Sequence, residues 1–174
     1  MEYISYAASF IATVLSLIEP FNKKMKTVLI FSLIGNVLIA ISYLIVGGFS
    51  GAAICFTAAV QLIINFFYAS KSRPLPKIWL ALHLAAFTAV NLLTFRAWYD
   101  SLSLAAAMLF VLSVSQSNAK YYRAIYIPNL IIWIVYDIFA FAYGNLVTHA
   151  VVLAALLVAV AVRDRKVMKN DEQY

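Results

Sequence analysis

The residues of this 174-residue chain best suited to chemistry lie close together near its end. Asn129, Trp133, Tyr136 and Asp137 follow one another at spacings of four, three and one. On an α-helix those spacings put all four on one broad face. Asp137 reads as the only acid well inside an apolar span, about six residues or roughly 9 Å below its end at about 1.5 Å per residue. An ionised Asp at the centre of a membrane helix costs about 2.5–3.5 kcal/mol, so it must be protonated, face water or have a partner. Two readings follow: a proton-coupling or cation-contacting carboxylate, or a structural one satisfied by tyrosine or backbone donors. The surrounding aromatic and amide groups suit a planar ring or a sugar, through stacking and directed polar contacts. They would equally suit an aromatic stripe between helices. Asn36 and Tyr43, seven apart with the small Ala40 on the same side, form a second such face.

Gln61 and Asn65, four apart, make a second polar stripe, for substrate contact or for hydrogen bonding between helices. Pro128 removes a backbone hydrogen bond within its helix and is a candidate gate or a structural kink. His83 and His149 are separated by roughly 15 Å of depth at about 1.5 Å per residue, too far to share a metal. No metal, cofactor or catalytic residue is expected, since the chain has no Cys/His cluster, no nucleophile signature and no phosphate-binding glycine loop. An enzyme is therefore not expected. Cys55 is the sole cysteine and cannot form an intrachain disulfide.

The composition decides what elements hold these residues. Hydrophobic residues make up 65% of the chain and charged residues 11%, with a mean hydropathy of +0.91. Soluble domains are about 45–50% apolar and about 25% charged, so this chain is an integral membrane protein. Its formal charge of +6 then reads as a topology signal rather than a nucleic-acid footprint. Met1-Glu2-Tyr3 offers no basic region for a cleavable signal peptide. Apolar runs over 3–18, 27–46, 51–69, 78–95, 102–115, 125–143 and 146–163 predict seven transmembrane helices, the fifth weakest and extending toward Ser117. Lys23, Lys24, Lys26, Lys71, Arg73, Lys77, Lys120, Arg123 and the basic tail from Arg163 then share one side, leaving Arg96 opposite. The positive-inside rule makes that side cytoplasmic, with the N-terminus outside and the C-terminus inside. Gly47-Gly48-Phe49-Ser50-Gly51 and Gly144-Asn145 mark tight external turns, and Pro74 with Pro76 a stiff connector.

Sliding the chain on itself by about 97 residues aligns the first three helices with the last three. Lys23 then meets Lys120, Lys26 meets Arg123, Gly47 meets Gly144, Glu19 meets Gln116, and Asn36 meets Trp133. The fold expected is an all-α bundle with a 3+1+3 parallel repeat. Residues 1–69 form the first three-helix bundle, 70–95 the linker and fourth helix, 96–163 the second bundle, and 164–174 a cytoplasmic tail.

Two sets of residues carry a resemblance. One is Asn129, Trp133, Tyr136 and Asp137 with Gly144 and Arg163-Asp164-Arg165; the other is Lys23 to Lys26, Tyr43, Gly47-Gly48 and Gly51-Ala52. On these the chain resembles YgjV-type bacterial inner-membrane proteins. That family is similar to SWEET and SemiSWEET sugar carriers, PQ-loop proteins, PnuC-type vitamin carriers and the KDEL receptor. The chain departs from the PQ-loop pattern, with Glu19-Pro20 and Gln116-Ser117 at the two Pro-Gln positions. The resemblance implies a multi-pass protein of the bacterial inner membrane and a substrate cavity near midplane, with the linker helix outside it. The expected function is a secondary transporter or facilitator for a sugar or a vitamin- or nucleoside-like metabolite. Asn36, Tyr43, Asn129, Trp133, Tyr136 and Asp137 would bind substrate, with proton coupling through Asp137. A KDEL-receptor-like receptor or assembly protein is the alternative. Beyond lipid and substrate, a homo-oligomer is the one further partner considered.

Overall fold

A computed structural model of the chain describes residues 2–22, 24–116 and 118–164; Lys23, Ser117 and the tail from Arg165 lie outside the described residues. The described residues form seven α-helices: α1 (Glu2–Ser16), α2 (Met25–Val46), α3 (Phe49–Ser70), α4 (Lys77–Thr94), α5 (Asp100–Val114), α6 (Ala119–Phe139) and α7 (Tyr143–Ala159). A 3-10 turn, Glu19–Phe21, follows α1, and a π-helical turn, Val160–Asp164, prolongs α7. Each helix packs on its neighbours in sequence, α1 closes the bundle against α7, and α3 also meets α5.

Six stretches are long and apolar enough to cross a membrane, and α5, with 15 residues, is shorter. The fifth helix ends at Val114, while Ser117, toward which it was expected to extend, lies outside the described residues. The helix begins at Asp100, whose Oδ2 accepts the N–H groups of Arg96 (2.8 Å) and Ala97 (2.9 Å) and so fixes the turn that starts it. Large apolar side chains such as Phe10, Val60, Leu92, Leu93 and Val147 cover the outside of the bundle. In water such a surface would aggregate; against lipid it is the favoured one.

The second half corrects the expected boundaries. The sixth helix begins at Ala119 because the Asn118 side chain accepts the Lys120 N–H at 2.9 Å, an N-cap well before the apolar run. It ends at Phe139 because Phe141 takes a left-handed conformation with φ 53°. The Phe141 N–H bonds to Ile138 O and the Ala142 N–H to Asp137 O, a Schellman closure. Gly47, with φ 80°, makes the same closure after α2: its N–H bonds to Leu44 O and the Gly48 N–H to Tyr43 O. The turn expected at Gly144-Asn145 is therefore made by 140–142, and both those residues belong to the first turn of α7. Gly144 serves close packing, since a Cβ there would meet Ser9 Oγ at 2.9 Å.

With no hydrophobic force between helices in lipid, small and hydroxylated residues hold them together. Ser5 and Ser9 of α1 each hydrogen-bond Ser42 of α2 (2.7 and 2.8 Å), Ser9 also donates to Asn145 Oδ1 (2.7 Å), and Thr13 pairs with Thr148 (2.8 Å). Asn91 of α4 does the same for α3 and α5, with Nδ2 3.1 Å from Ser50 Oγ and 2.9 Å from both Ser103 Oγ and Asp100 O. Asn91→Leu is expected to lower stability by about 1–2 kcal/mol, the upper range for interhelical hydrogen bonds in membranes. Reversible unfolding in mixed detergent micelles measures this, and an unchanged midpoint would show that the tie is incidental.

Candidate functional site

Two helix ends create the centre of the site. Tyr43 and Asp137 both supply the carbonyl that closes their Schellman turn, so they hold the same position in the α2–α3 and α6–α7 hairpins. Their side chains meet: the fully buried Tyr43 hydroxyl donates to Asp137 Oδ1 at 2.5 Å. The other oxygen, Oδ2, lies 2.7 Å from His149 Nδ1. Asp137 thus has two side-chain partners and no exposure, while standing two residues from the end of α6 rather than about six. His149 is the partner that sequence reasoning missed. It lies six residues into α7, which begins at Tyr143, and no local pattern in the sequence pairs it with Asp137.

Aromatic rings pack around this triad. Trp133 stacks on His149 (centroids 5.7 Å apart, 19° between planes) and lies 5.8 Å from Tyr43. Tyr136 meets Trp133 edge-on at 5.4 Å and Tyr43 at 5.7 Å, and its hydroxyl accepts the Gly51 N–H at 3.0 Å. That approach requires glycine: a Cβ at residue 51 would stand 3.0 Å from Tyr136 Cε1 and 3.1 Å from Tyr43 Cδ2.

Below this plug is a central cavity of about 30 Å³, lined by Asn36, Asn129, Trp133 and His149 among others. On a scale where one water needs about 10–15 Å³, it has room for about two waters. Three of the six expected substrate residues therefore line one cavity, and the other three, Tyr43, Tyr136 and Asp137, build the plug over it. Asn129 donates to Ala106 O at 2.6 Å while its Oδ1 has no protein partner; Asn36 donates to Ser32 O of its own helix at 2.8 Å. Phe87 of α4 also reaches the cavity, so the linker helix is not wholly outside the site.

Asp137 is not the only buried acid. Glu19, 2% exposed, lines the opposite end of the cavity, accepting from Ser32 (2.7 Å) and Tyr122 (3.1 Å) through Oε2. It lies beside a proline at the end of the first apolar run, within the 3-10 turn that follows α1. Asp100 is buried too, in the turn before α5. His83 sits apart on α4, packed on Trp79 at 6.1 Å, and Pro128 lies within α6 on its exposed side.

Two further recesses lie beyond the cavity. Toward the Gly47 turn, about 200 Å³ opens beside Ser50, Arg96, Tyr99 and Tyr136, one helical turn past Trp133. Toward the opposite end, an open recess of about 620 Å³ reaches in to Asn65. Ala58, Gln61 and Asn65 lie along one face of α3, so this recess and the cavity are separated by about 10 Å, two helical turns at about 1.5 Å per residue. Gln61 stands in that wall fully buried, with neither side-chain amide atom hydrogen-bonded.

The model of the Imp-YgjV family, described as a bacterial inner membrane protein, matches residues 3–166. The chain belongs to that family and is a multi-pass protein of the bacterial inner membrane. No curated protein and no solved structure matches it.

Proposed function

We propose that this family member is a secondary transporter or facilitator of a small polar metabolite, working by alternating access and captured with its cavity closed at both ends. The observation that carries the reading is the alignment of three spaces along the bundle. A recess at the Gly47 end, a polar central cavity and a recess at the basic end are separated by an aromatic plug and by the Gln61 layer. Each barrier contains a feature that a permanent wall would not need: a carboxylate held by Tyr43 and His149 in one, an unpaired amide in the other. Substrate would enter between Asn36, Asn129 and Trp133 as one barrier loosens, with Asp137 exchanging a proton or meeting the substrate directly. The positive-inside assignment makes the basic end cytoplasmic.

A parallel 3+1+3 repeat is part of this proposal. The starts of α6 and α7 follow those of α2 and α3 by 94 residues each, whereas α5 follows α1 by 98. The ungapped offset of about 97 is thus replaced by two registers, the connector after α5 being four residues shorter than that after α1. In the 94-residue register Tyr43 corresponds to Asp137 and Ile39 to Trp133, in place of Asn36. The pairing of α1 with α7 and of α3 with α5 is what an axis exchanging the two halves requires. Residues bonded across such an axis, as Tyr43 and Asp137 are, would be expected to uncouple when one half rocks against the other.

One observation favours the second reading, a receptor or assembly protein: a cavity for about two waters has no room for a sugar. Cys55 discriminates, because it is the only cysteine and lines that cavity. In right-side-out and inverted vesicles, a transporter should let a membrane-impermeant methanethiosulfonate reagent reach Cys55 from both sides. Labelling from one side only, or from neither, would reject alternating access.

A further inference from the structure

The recess at the basic end has the chemistry of a binding site in its own right. Its volume of about 620 Å³ falls within the range of small-molecule pockets, about 300–1,000 Å³. Lys24, Lys26 and Arg73 line it, and among the described residues no acidic one does. The N-terminus of α2 borders it as well, with Lys24 as the cap residue, no capping side chain and no acid in the first turn. Unsatisfied N–H groups and the positive end of the helix dipole therefore add to the cationic field. At the inner end Asn65, 4% exposed, donates through Nδ2 to Val114 O at 3.1 Å, while its Oδ1 has no partner. An anion alone could not satisfy that oxygen, because it requires a donor. Met25, Leu29, Leu75 and Val114 supply an apolar wall between the charged rim and the amide.

Lys26 is already engaged, donating to Ser70 O at 3.3 Å across to the end of α3. Lys24 and Arg73 are the other two cations in the lining. Lys71 and Lys77, which flank Arg73 in sequence, are not part of the lining. This distinction separates a site from the general basic character of a cytoplasmic face.

We propose that this recess binds a phosphate-bearing organic anion with a free hydroxyl, of the glycerol phosphate class. Lys24, Arg73 and the α2 N-terminus hold the phosphate, and the hydroxyl donates to Asn65 Oδ1. A phospholipid headgroup and a soluble phosphate ester share this chemistry. The site does not depend on whether the central cavity conducts.

The test uses the full-length chain in two arms. In nanodiscs of phosphatidylcholine, glycerol 3-phosphate is titrated by calorimetry; in detergent, native mass spectrometry follows retention of added phosphatidylglycerol against phosphatidylcholine. Binding in the first arm identifies a soluble ligand, and selective retention in the second alone a lipid headgroup. In whichever arm binds, the double variant Lys24→Ala, Arg73→Ala should weaken binding about tenfold or more, as loss of charge-assisted contacts implies. Lys71→Ala with Lys77→Ala should leave it within about twofold. Asn65→Leu should remove any preference for glycerol 3-phosphate, or for phosphatidylglycerol, over a phosphate or lipid without the hydroxyl. All the replaced lysines and Arg73 are exposed, so retained helical circular dichroism is expected in both double variants. Binding in neither arm, or equal weakening by the two double variants, would overturn the proposal.

Discussion

Asp137→Ala is expected to destabilise the protein by about 2–6 kcal/mol, about 1–3 kcal/mol for each of the two buried polar groups it leaves without a partner. The substitution leaves the buried Tyr43 hydroxyl and His149 Nδ1 without their shared partner. Asp137→Asn separates structure from charge. Its side-chain oxygen can still accept from Tyr43, and its amide can donate to His149 Nδ1 if that ring carries its proton on Nε2. The cost should fall to about 0.5–1.5 kcal/mol, that of one hydrogen bond exchanged for a weaker one. Unfolding followed by tryptophan fluorescence suits both variants, because Trp133 stacks on the same His149 ring. Uptake into liposomes then addresses function. If Asp137 couples protons, the asparagine variant should lose the pH dependence of transport while remaining folded. A pH profile identical to that of the unaltered protein would remove Asp137 from that role. Asparagine as costly as alanine would instead show that the ionised carboxylate is what the site requires.

That Asn129, Trp133, Tyr136 and Asp137 share one face of α6 was legible from their helical spacing; that Tyr43 of α2 meets the last three while Asn129 turns to α5 was not. The depth of that face was misjudged for one local reason. Gly47 announces the first hairpin turn, but Phe141 makes the second, and a phenylalanine in the left-handed region leaves no turn signal in composition or hydropathy. Shifting the turn to 140–142 moves Asp137 toward the end of its helix, and the starts of α6 and α7 then follow those of α2 and α3 by 94 residues rather than about 97. Glu19 was hidden by the opposite effect. A charged residue beside proline at the end of an apolar run usually marks the way into solvent, but here Ser32 and Tyr122 are placed to receive it. Those partners lie 13 and 103 residues away, and no local pattern selects them. The serine and threonine ladder of α1 was readable in principle, since Ser5, Ser9 and Thr13 repeat every four residues. Its neighbours on α2 and α7 were not.

Gly51→Ala should act on the plug without touching the carboxylate. The added methyl group must displace both the Tyr136 and Tyr43 rings, which stand 3.0–3.1 Å from its position, and those rings are held by Trp133 and by the bond to Asp137. Overpacking of this kind costs about 1–3 kcal/mol. If the plug is a gate, that strain is relieved by opening toward the Gly47 end, and a bias of about 1.4 kcal/mol multiplies the open population about tenfold. Cys55 would then be labelled about tenfold or more faster from that side, with no gain from the basic side. Gly47→Ala supplies the control. It strains a residue at φ 80° that has nothing near its Cβ, so it should weaken the α2–α3 hairpin by about 1–2 kcal/mol and leave Cys55 labelling unchanged. Faster labelling in both variants would mean that any loss of stability exposes the cavity. Unaltered labelling in a folded Gly51→Ala protein would mean that the Tyr43–Tyr136 plug is a wall. Faster labelling in Gly51→Ala alone would place the gate at the Tyr43–Tyr136 pair, and because Tyr43 is bonded to Asp137 that gate would be linked to the carboxylate on one side of the membrane.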